Sequence, residues 1–248
     1  MEQHKDIKEE TEHKPIYAWR YIDLDKFVNL LCEEKIYFPT PSQFSDPNET
    51  QFVDDENNTI CLKTVASIIG VSCWHINDHE NILMWKTYVK NEYGVAIKIE
   101  LPKLKIAIRS NVKKINEFGF QKVKYFSTSE FKSLINNDSK EIHNDWEKVD
   151  INKFFCVKTV EYHGENEYRI IAQNPKLLNA ETGDKKKVRN NLKDNPSGFK
   201  INFNIHQIDE IVLHPQFPEY MKVVLELLCQ NKKLKCHISK SIVKEGIH

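Results

Sequence analysis

The chain reads as a single α+β domain: a mixed β-sheet, continuous or split, flanked by helices. Helical and strand periodicities are interleaved irregularly from end to end, which is the pattern of a mixed sheet with helices rather than of a regular βα repeat. No internal repeat and no break in composition marks a linker. With 40% hydrophobic residues among 248, there is enough apolar surface to bury a substantial core.

Residues 1–14 are polar, carry no periodic apolar face and read as a mobile tail, with Pro15 as punctuation and the domain running over 15–240. Residues 16–21 are rich in aromatic residues and read as a strand. Asp23 is placed to cap a helix, and Leu24, Phe27, Leu30 and Leu31 recur at helical spacing as far as about Glu34. A short strand follows at 35–38, and two prolines open a loop over 39–49. A strand at 71–75 precedes a helix over roughly 79–89, and 94–99 is another strand. The pattern then predicts a helix over 102–118, a strand at 123–126 and mostly polar helix over 128–148. Strands follow at 154–160 and 168–172, then a polar excursion at 179–197. Strands at 200–203 and 208–213, an amphipathic helix over 220–230 and a last strand at 234–238 complete the domain, and 241–248 is a C-terminal tail.

Charge and composition exclude several classes of function. Lys+Arg and Asp+Glu each number 36, so a protein that works by coating nucleic acid or anionic membrane is not expected. No run approaches the ~18 apolar residues of a membrane span, and the polar N-terminus is unlike a signal peptide, which points to the cytoplasm. Only 7 glycines are present, with no G-x-G, no G-x-S-x-G and no Walker-type loop. A phosphate held here would therefore be held by side chains. The six cysteines, at 32, 61, 73, 156, 229 and 236, show no C-x-x-C spacing and mostly sit in apolar runs, so they read as buried free thiols. His75 and His79 are four apart but straddle a strand-to-helix change with no third ligand at diagnostic spacing, so no metal is expected.

Arginine is scarce, at 20, 109, 169 and 189, and its planar fork serves where lysine does not. Arg20 lies among aromatics on a strand, either bridging to Asp46 or Glu167 or clamping an anion. Asp46 precedes Pro47, which restricts it to extended angles, and reads as a turn or cap residue. Trp85 and Tyr88, three apart on a helix, share a face. They either pack in the core or, with Trp74, wall a pocket for a planar ring. Glu165, Glu167 and Arg169 fall at strand parity, giving an E-x-E-x-R row that is either a buried ion-pair ladder or one wall of a site. Cys73 and His75 share a strand face, so a Cys-His nucleophile is a further candidate, against the commoner buried thiol.

Tyr17-Ala-Trp-Arg-Tyr21, Ile36-Tyr-Phe-Pro with Phe44-Ser-Asp-Pro-Asn-Glu49, Val71-Ser-Cys-Trp74 with Met84-Trp-Lys-Thr-Tyr88, Gly94-Val-Ala-Ile97 and Glu165-Asn-Glu-Tyr-Arg169 follow one another in order. This succession resembles a widespread bacterial family catalogued as a domain of unknown function. The order of parts also resembles, more distantly, the ADP-ribosyltransferases, although Val71-Ser-Cys-Trp is only a loose match to the Ser-Thr-Ser strand of their arginine-specific branch. That second resemblance implies NAD as a substrate and no other cofactor. Arg20, Tyr21 and Arg169 would hold the dinucleotide, with Tyr88 or Trp85 against nicotinamide. Glu167 would be catalytic and Glu165 would orient a protein or nucleic-acid acceptor, with Asp46 and Glu49 in a supporting loop. The biological setting it implies is an effector in stress response or phage defence. Two other readings stand beside it: a non-catalytic nucleotide- or protein-binding sensor, and a Mg²⁺-dependent nuclease using Asp46, Glu49, Glu165 and Glu167.

Overall fold

β1 (Tyr17–Asp23) is buried on both faces, and its side chains therefore belong alternately to two different cores. In the computed structural model, which describes residues 14–44, 69–109, 118–131, 133–134, 155–173 and 197–243, this strand lies inside a seven-stranded sheet. The other members are β3 (Ile69–Ile76), β4 (Gly94–Glu100), β5 (Phe118–Lys122), β8 (Glu167–Gln173), β10 (Glu210–Leu213) and β11 (His237–Lys240). The order across the sheet is β11-β10-β4-β1-β3-β8-β5, antiparallel except for the β10–β11 pair, so the sheet is mixed as expected. Two small ribbons accompany it: β2 (Lys35–Pro39) antiparallel to β9 (Gly198–Asn202), and β6 (Lys124–Phe126) parallel to β7 (Val157–Thr159).

One face of the sheet carries the larger core. α1 (Leu24–Glu33) contributes Phe27, Leu30 and Leu31, α3 (Leu101–Arg109) contributes Leu104, Ala107 and Ile108, and α4 (Glu219–Asn231) contributes Leu225 and Cys229. These pack on Ala18, Ile22, Trp74, Ile97, Ile99, Ile170 and Ile211. The other face is covered by α2 (Ile82–Tyr88), whose Met84 and Trp85 meet Trp19, Tyr21, Val89, Ala96 and Val212. Neighbouring residues of β1 thus enter opposite cores, and residue 20 goes with residues 18 and 22.

Asp23 does stand at the N-cap of α1, but its carboxylate is used elsewhere. Oδ1 accepts the Lys90 N–H at 3.0 Å and Oδ2 accepts from Lys26 at 3.0 Å, tying the end of β1 to the segment after α2. The helix predicted over 102–118 is α3 up to Arg109, and Phe118 instead opens β5, which gains backbone hydrogen bonds from β8 through the register Phe118↔Ala172 to Lys122↔Tyr168. β7 takes only the middle of the strand predicted at 154–160, and Val160 begins a 3₁₀ turn. The last strand is β11, a few residues later than the pattern at 234–238 indicates, because Leu234 and Cys236 pack against the core before the chain joins β10. The polar stretches centred on 138–148 and 179–196 lie outside the described residues.

β1 and β4 pair over seven residues, whereas β1 and β3 pair only at Ala18↔Ile76 and Trp19↔His75. Beyond Trp19 the two strands part, so the sheet is continuous at one end of this junction and open at the other. The β2–β9 ribbon reaches this junction at Gly70 of β3. A Cβ there would stand 2.7 Å from Phe38 Cβ and 2.8 Å from the Phe199 ring. Phe38 and Phe199 stack with centroids 6.0 Å apart. The missing side chain lets the ribbon sit directly on β3 and brings the backbone of Tyr37 alongside Arg20. Gly70→Ala should therefore cost about 1–3 kcal/mol by overpacking, measured as a lower denaturant midpoint with an unchanged slope.

Candidate functional site

Arg20 is half-buried on the α1 side of the sheet and reaches across the parting. Nη1 donates to Ser72 Oγ on β3, and Nη2 donates to the Tyr37 carbonyl on β2 at 3.3 Å. The guanidinium carbon lies 5.7 Å from the centre of the Trp74 ring, in cation–π range, and the Trp74 Nε1–H donates to the same Ser72 Oγ at 3.0 Å. Both of its hydrogen-bond acceptors are neutral, and no carboxylate among the described residues pairs with it. Burial lowers its pKa to about 10, so it remains a cation at neutral pH, inside the fold and with no carboxylate partner among the described residues. Glu167 is not its partner, because strand parity puts that residue on the other face. Asp46 and Glu49 lie outside the described residues.

On that other face a charge cluster is assembled around β8. Glu167 is 4% exposed and is gripped in a fork by Arg169, with Nε to Oε1 at 2.9 Å and Nη2 to Oε2 at 3.0 Å. Arg169 is 2% exposed and gives Nη1 to the Phe155 carbonyl at 2.9 Å, and its guanidinium lies 5.2 Å from the centre of the Phe44 ring. The buried Lys158 of β7 joins the two glutamates, with Nζ 2.6 Å from Glu165 Oε2 and 3.2 Å from Glu167 Oε2. Burial alone would push the Glu167 carboxyl up. The charges of Arg169 and Lys158, with hydrogen bonds from Arg169 and Cys73, outweigh burial and hold it at about 2. The cluster is neutral overall, two carboxylates against two cations.

Only Glu167 and Arg169 of the E-x-E-x-R row are strand residues. Glu165 ends the 3₁₀ turn Val160–Glu165, and Asn166 adopts a left-handed φ of 37° before β8 begins. The two carboxylates therefore meet through Lys158 rather than through strand spacing. Tyr88, at the end of α2, is 41% exposed, yet its hydroxyl is raised well above the usual tyrosine range by burial and then by Glu165 and Glu167. Tyr125 stands on the opposite flank and accepts the Glu167 N–H at 2.9 Å.

His75 is fixed in one tautomer. Asn81 Oδ1 caps α2 by accepting the Leu83 N–H at 2.8 Å, so its amide nitrogen is the group that faces His75 Nε2 at 3.3 Å. Nε2 must accept, leaving Nδ1–H to donate to the Glu165 carbonyl. Burial lowers the His75 pKa, in keeping with a neutral ring that locks the 3₁₀ turn in place. His79 lies in the bend before α2, so the two histidines do not share a helix face. No group of metal-ligating side chains occurs among the described residues.

The aromatic wall is not built as the spacing allowed. Trp74 belongs to the α1 side, while Trp85 is wholly buried under α2, edge-on to Tyr21 at 5.0 Å and to His214 at 5.4 Å, its Nε1–H donating to Glu80 at 3.0 Å. Tyr21 is equally enclosed, and its hydroxyl accepts the Asn81 N–H at 2.8 Å. Trp85 and Tyr21 thus brace α2 against β1, and Tyr88 is the aromatic of the set that reaches the surface. Cys73 is half-buried where β1 has left β3, close enough to Arg20, Glu167 and Tyr88 for its charge state to be felt by each. The described free thiols do not share one environment: Cys156 and Cys229 are buried, but Cys32 is exposed.

Arg20 and Glu167 thus occupy opposite faces of the sheet. Sequence reasoning missed Ser72, Lys158 and Tyr37. A lone lysine in the apolar run Cys156-Val157-Lys158 was a readable signal, and so was the serine of the Val71-Ser-Cys-Trp motif. Tyr37 contributes a backbone carbonyl, which no side-chain pattern announces.

Because the Glu167 pKa is depressed in the fold, its stabilising effect is present above the unfolded value near 4.5 and disappears as the pH falls towards about 2. The corresponding loss is about 3 kcal/mol. An acid titration of unfolding free energy should show this decline below the unfolded value, and it should flatten in Glu167→Gln. At neutral pH that variant leaves Arg169 without its ion pair and should be destabilised by about 3–5 kcal/mol.

No curated protein matches the sequence. Among solved structures, the chain is similar to Thermus sp. 2.9 DarT in complex with NAD+, at TM-score 0.41 and 9% identity, covering 92% of this chain and 96% of that one. It is likewise similar to the same protein in complex with ADP-ribosylated ssDNA, at TM-score 0.40 and 10% identity, covering 92% of this chain and 94% of that one. A family model described as "Protein of unknown function (DUF2971)" matches residues 84–170, the stretch that holds the Met84-Trp-Lys-Thr-Tyr88, Gly94-Val-Ala-Ile97 and Glu165-Asn-Glu-Tyr-Arg169 motifs, and it bears out the resemblance to a family of unknown function.

Proposed function

We propose that the chain binds an NAD-type dinucleotide at the parting of β1 and β3 and cleaves or transfers its ADP-ribosyl group. The observation that carries this reading is Arg20, a cation held inside the fold by a serine hydroxyl and a backbone carbonyl, with no carboxylate partner among the described residues. A guanidinium so placed is matched by a phosphate, and the lack of a G-x-G or Walker-type loop leaves side chains to do this work. Tyr88, at the surface end of α2, is the aromatic available to lie against the nicotinamide.

The chemistry asks little else of the protein. The C1′–N bond of the nicotinamide riboside breaks with its electron pair leaving on neutral nicotinamide. Positive charge develops on the ribose, and an acceptor or water forms the new bond at C1′ and loses a proton. Carboxylates suit such an oxocarbenium-like transition state. Glu167 is immobilised by Arg169 and Lys158, and Glu165, the more exposed of the pair, stands beside the incoming group.

Incubation with nicotinamide-labelled NAD tests the proposal. Wild type should release nicotinamide. Glu165→Gln should lower kcat by roughly a hundredfold, as removal of a transition-state charge does. Arg20→Ala should raise KM by roughly tenfold or more, as loss of a charge-assisted contact does. A protein that neither binds NAD nor releases nicotinamide overturns it. The neutral balance of the Glu165–Lys158–Glu167–Arg169 cluster favours a second reading, a nucleotide sensor without turnover. Its mark would be a rise in melting temperature with NAD or another nucleotide, lost in Arg20→Ala, with no product formed.

A further inference from the structure

The chain after β11 is tied to the start of α2 through one carboxylate. Ser241 donates its backbone N–H to the Leu213 carbonyl of β10 at 2.9 Å. Its hydroxyl donates to Glu80 Oε2, and the Ile242 N–H donates to Glu80 Oε1 at 2.7 Å. Glu80 stands just before α2, and its Oε2 also accepts from Trp85 Nε1 at 3.0 Å. The indole and the amide can only donate, and Ser241 Oγ itself accepts the Val243 N–H at 3.1 Å, which leaves its proton for Glu80. Three donors thus converge on Glu80, and both of its oxygens must accept. A glutamine there would turn its NH₂ group towards one of the donors. The Ile242 side chain is 80% exposed, so hydrogen bonds, and not its burial, hold the strap Ser241–Val243 at this point.

What the strap holds is α2. A helix of seven residues is too short to keep its place unaided. Its first turn meets the 3₁₀ turn that carries Glu165 at two points. The amide of Asn81 faces His75 Nε2 at 3.3 Å, and the other ring nitrogen of His75 donates to the Glu165 carbonyl. Leu83 lies over Gly164, its Cδ2 3.5 Å from where a Cβ of residue 164 would stand. Contacts therefore run from Ser241 and Ile242 through Glu80, α2 and His75 to Glu165. We propose that Glu80 is a positioning residue, which by anchoring α2 to the strap Ser241–Val243 fixes His75 in its Nδ1–H tautomer and sets Glu165 for the dinucleotide chemistry. The last step rests on the function proposed above, whereas the anchoring of His75 does not.

Nitrogen NMR of the His75 ring in the full chain tests this, because it reports the tautomer of the native state and not overall stability. Wild type should carry the proton on Nδ1, the form that free histidine disfavours in water. Glu80→Gln should return a large share of it to Nε2. Ile242→Pro, which deletes one donor and leaves Glu80 in place, should do the same, and Ile242→Ala, which keeps the N–H, should not. In a wild type that releases nicotinamide from NAD, Glu80→Gln should also lower kcat by roughly ten- to a hundredfold, as a small misplacement of a reacting group does, with a smaller change in KM because Arg20 is untouched. A wild type that releases none overturns the function proposed above, and the ring tautomer alone then decides for Glu80. A wild-type proton on Nε2, an Nδ1 proton undisturbed by both Glu80→Gln and Ile242→Pro, or an active enzyme whose kcat ignores Glu80→Gln overturns the proposal.

Discussion

The structure turns on the way β1 is shared between its neighbours. It is hydrogen-bonded to β4 along its whole length and to β3 through two residue pairs, and the junction beyond them is closed by a side chain rather than by a ladder. Arg20 supplies that closure, joining β1 to Ser72 of β3 and to the backbone of β2. A lysine could not do the same, because a point charge on a flexible stem lacks the planar fork that donates in two fixed directions. The arrangement puts a cation with no carboxylate partner among the described residues where backbone pairing has stopped.

The opposite face handles charge in the contrary way. Glu165, Glu167, Lys158 and Arg169 are each paired with an opposite charge, and the neutral His75, the left-handed Asn166 and the Tyr125 hydroxyl hold the turn that delivers Glu165. Burying Glu167 and Arg169 is tolerable only because the fork between them is complete and Lys158 satisfies a remaining lone pair. Such a set fixes geometry more than it adds stability. It holds two carboxylates beside Tyr88 at a defined spacing. Tyr21 and Trp85 serve the same end from beneath, as a brace that sets α2 on the sheet.

Much of the fold was legible in order. The strands at β1, β4 and β8 and the amphipathic α1 and α4 follow from local patterns that tertiary context does not override. Errors fell where a competing interaction won. Asp23 caps with its backbone alone because Lys90 takes its carboxylate. Residue 118 left a helical pattern because β8 offered an edge to pair with. Glu165 left the strand because Asn166 turns the chain. Each of these depends on a partner more than 20 residues away or on a single backbone angle, and neither is written in local spacing.

By itself, the sequence determined a mixed sheet with helices, the lack of glycine-rich phosphate loops, and the scarcity of arginine that singles out Arg20 and Arg169. Composition and parity suffice for these because they depend only on residue type and period. Tertiary structure decided that Arg169 enters an ion pair with Glu167 while Arg20 meets a serine hydroxyl and a backbone carbonyl, since that depends on which face of the sheet each enters and what crosses it. It also decided that Trp85 is core and Tyr88 is surface although they lie three residues apart, and that Lys158, rather than the spacing of Glu165 and Glu167, brings the carboxylates together. Pairing of charges is a property of distance in space, and the chain states only distance in sequence.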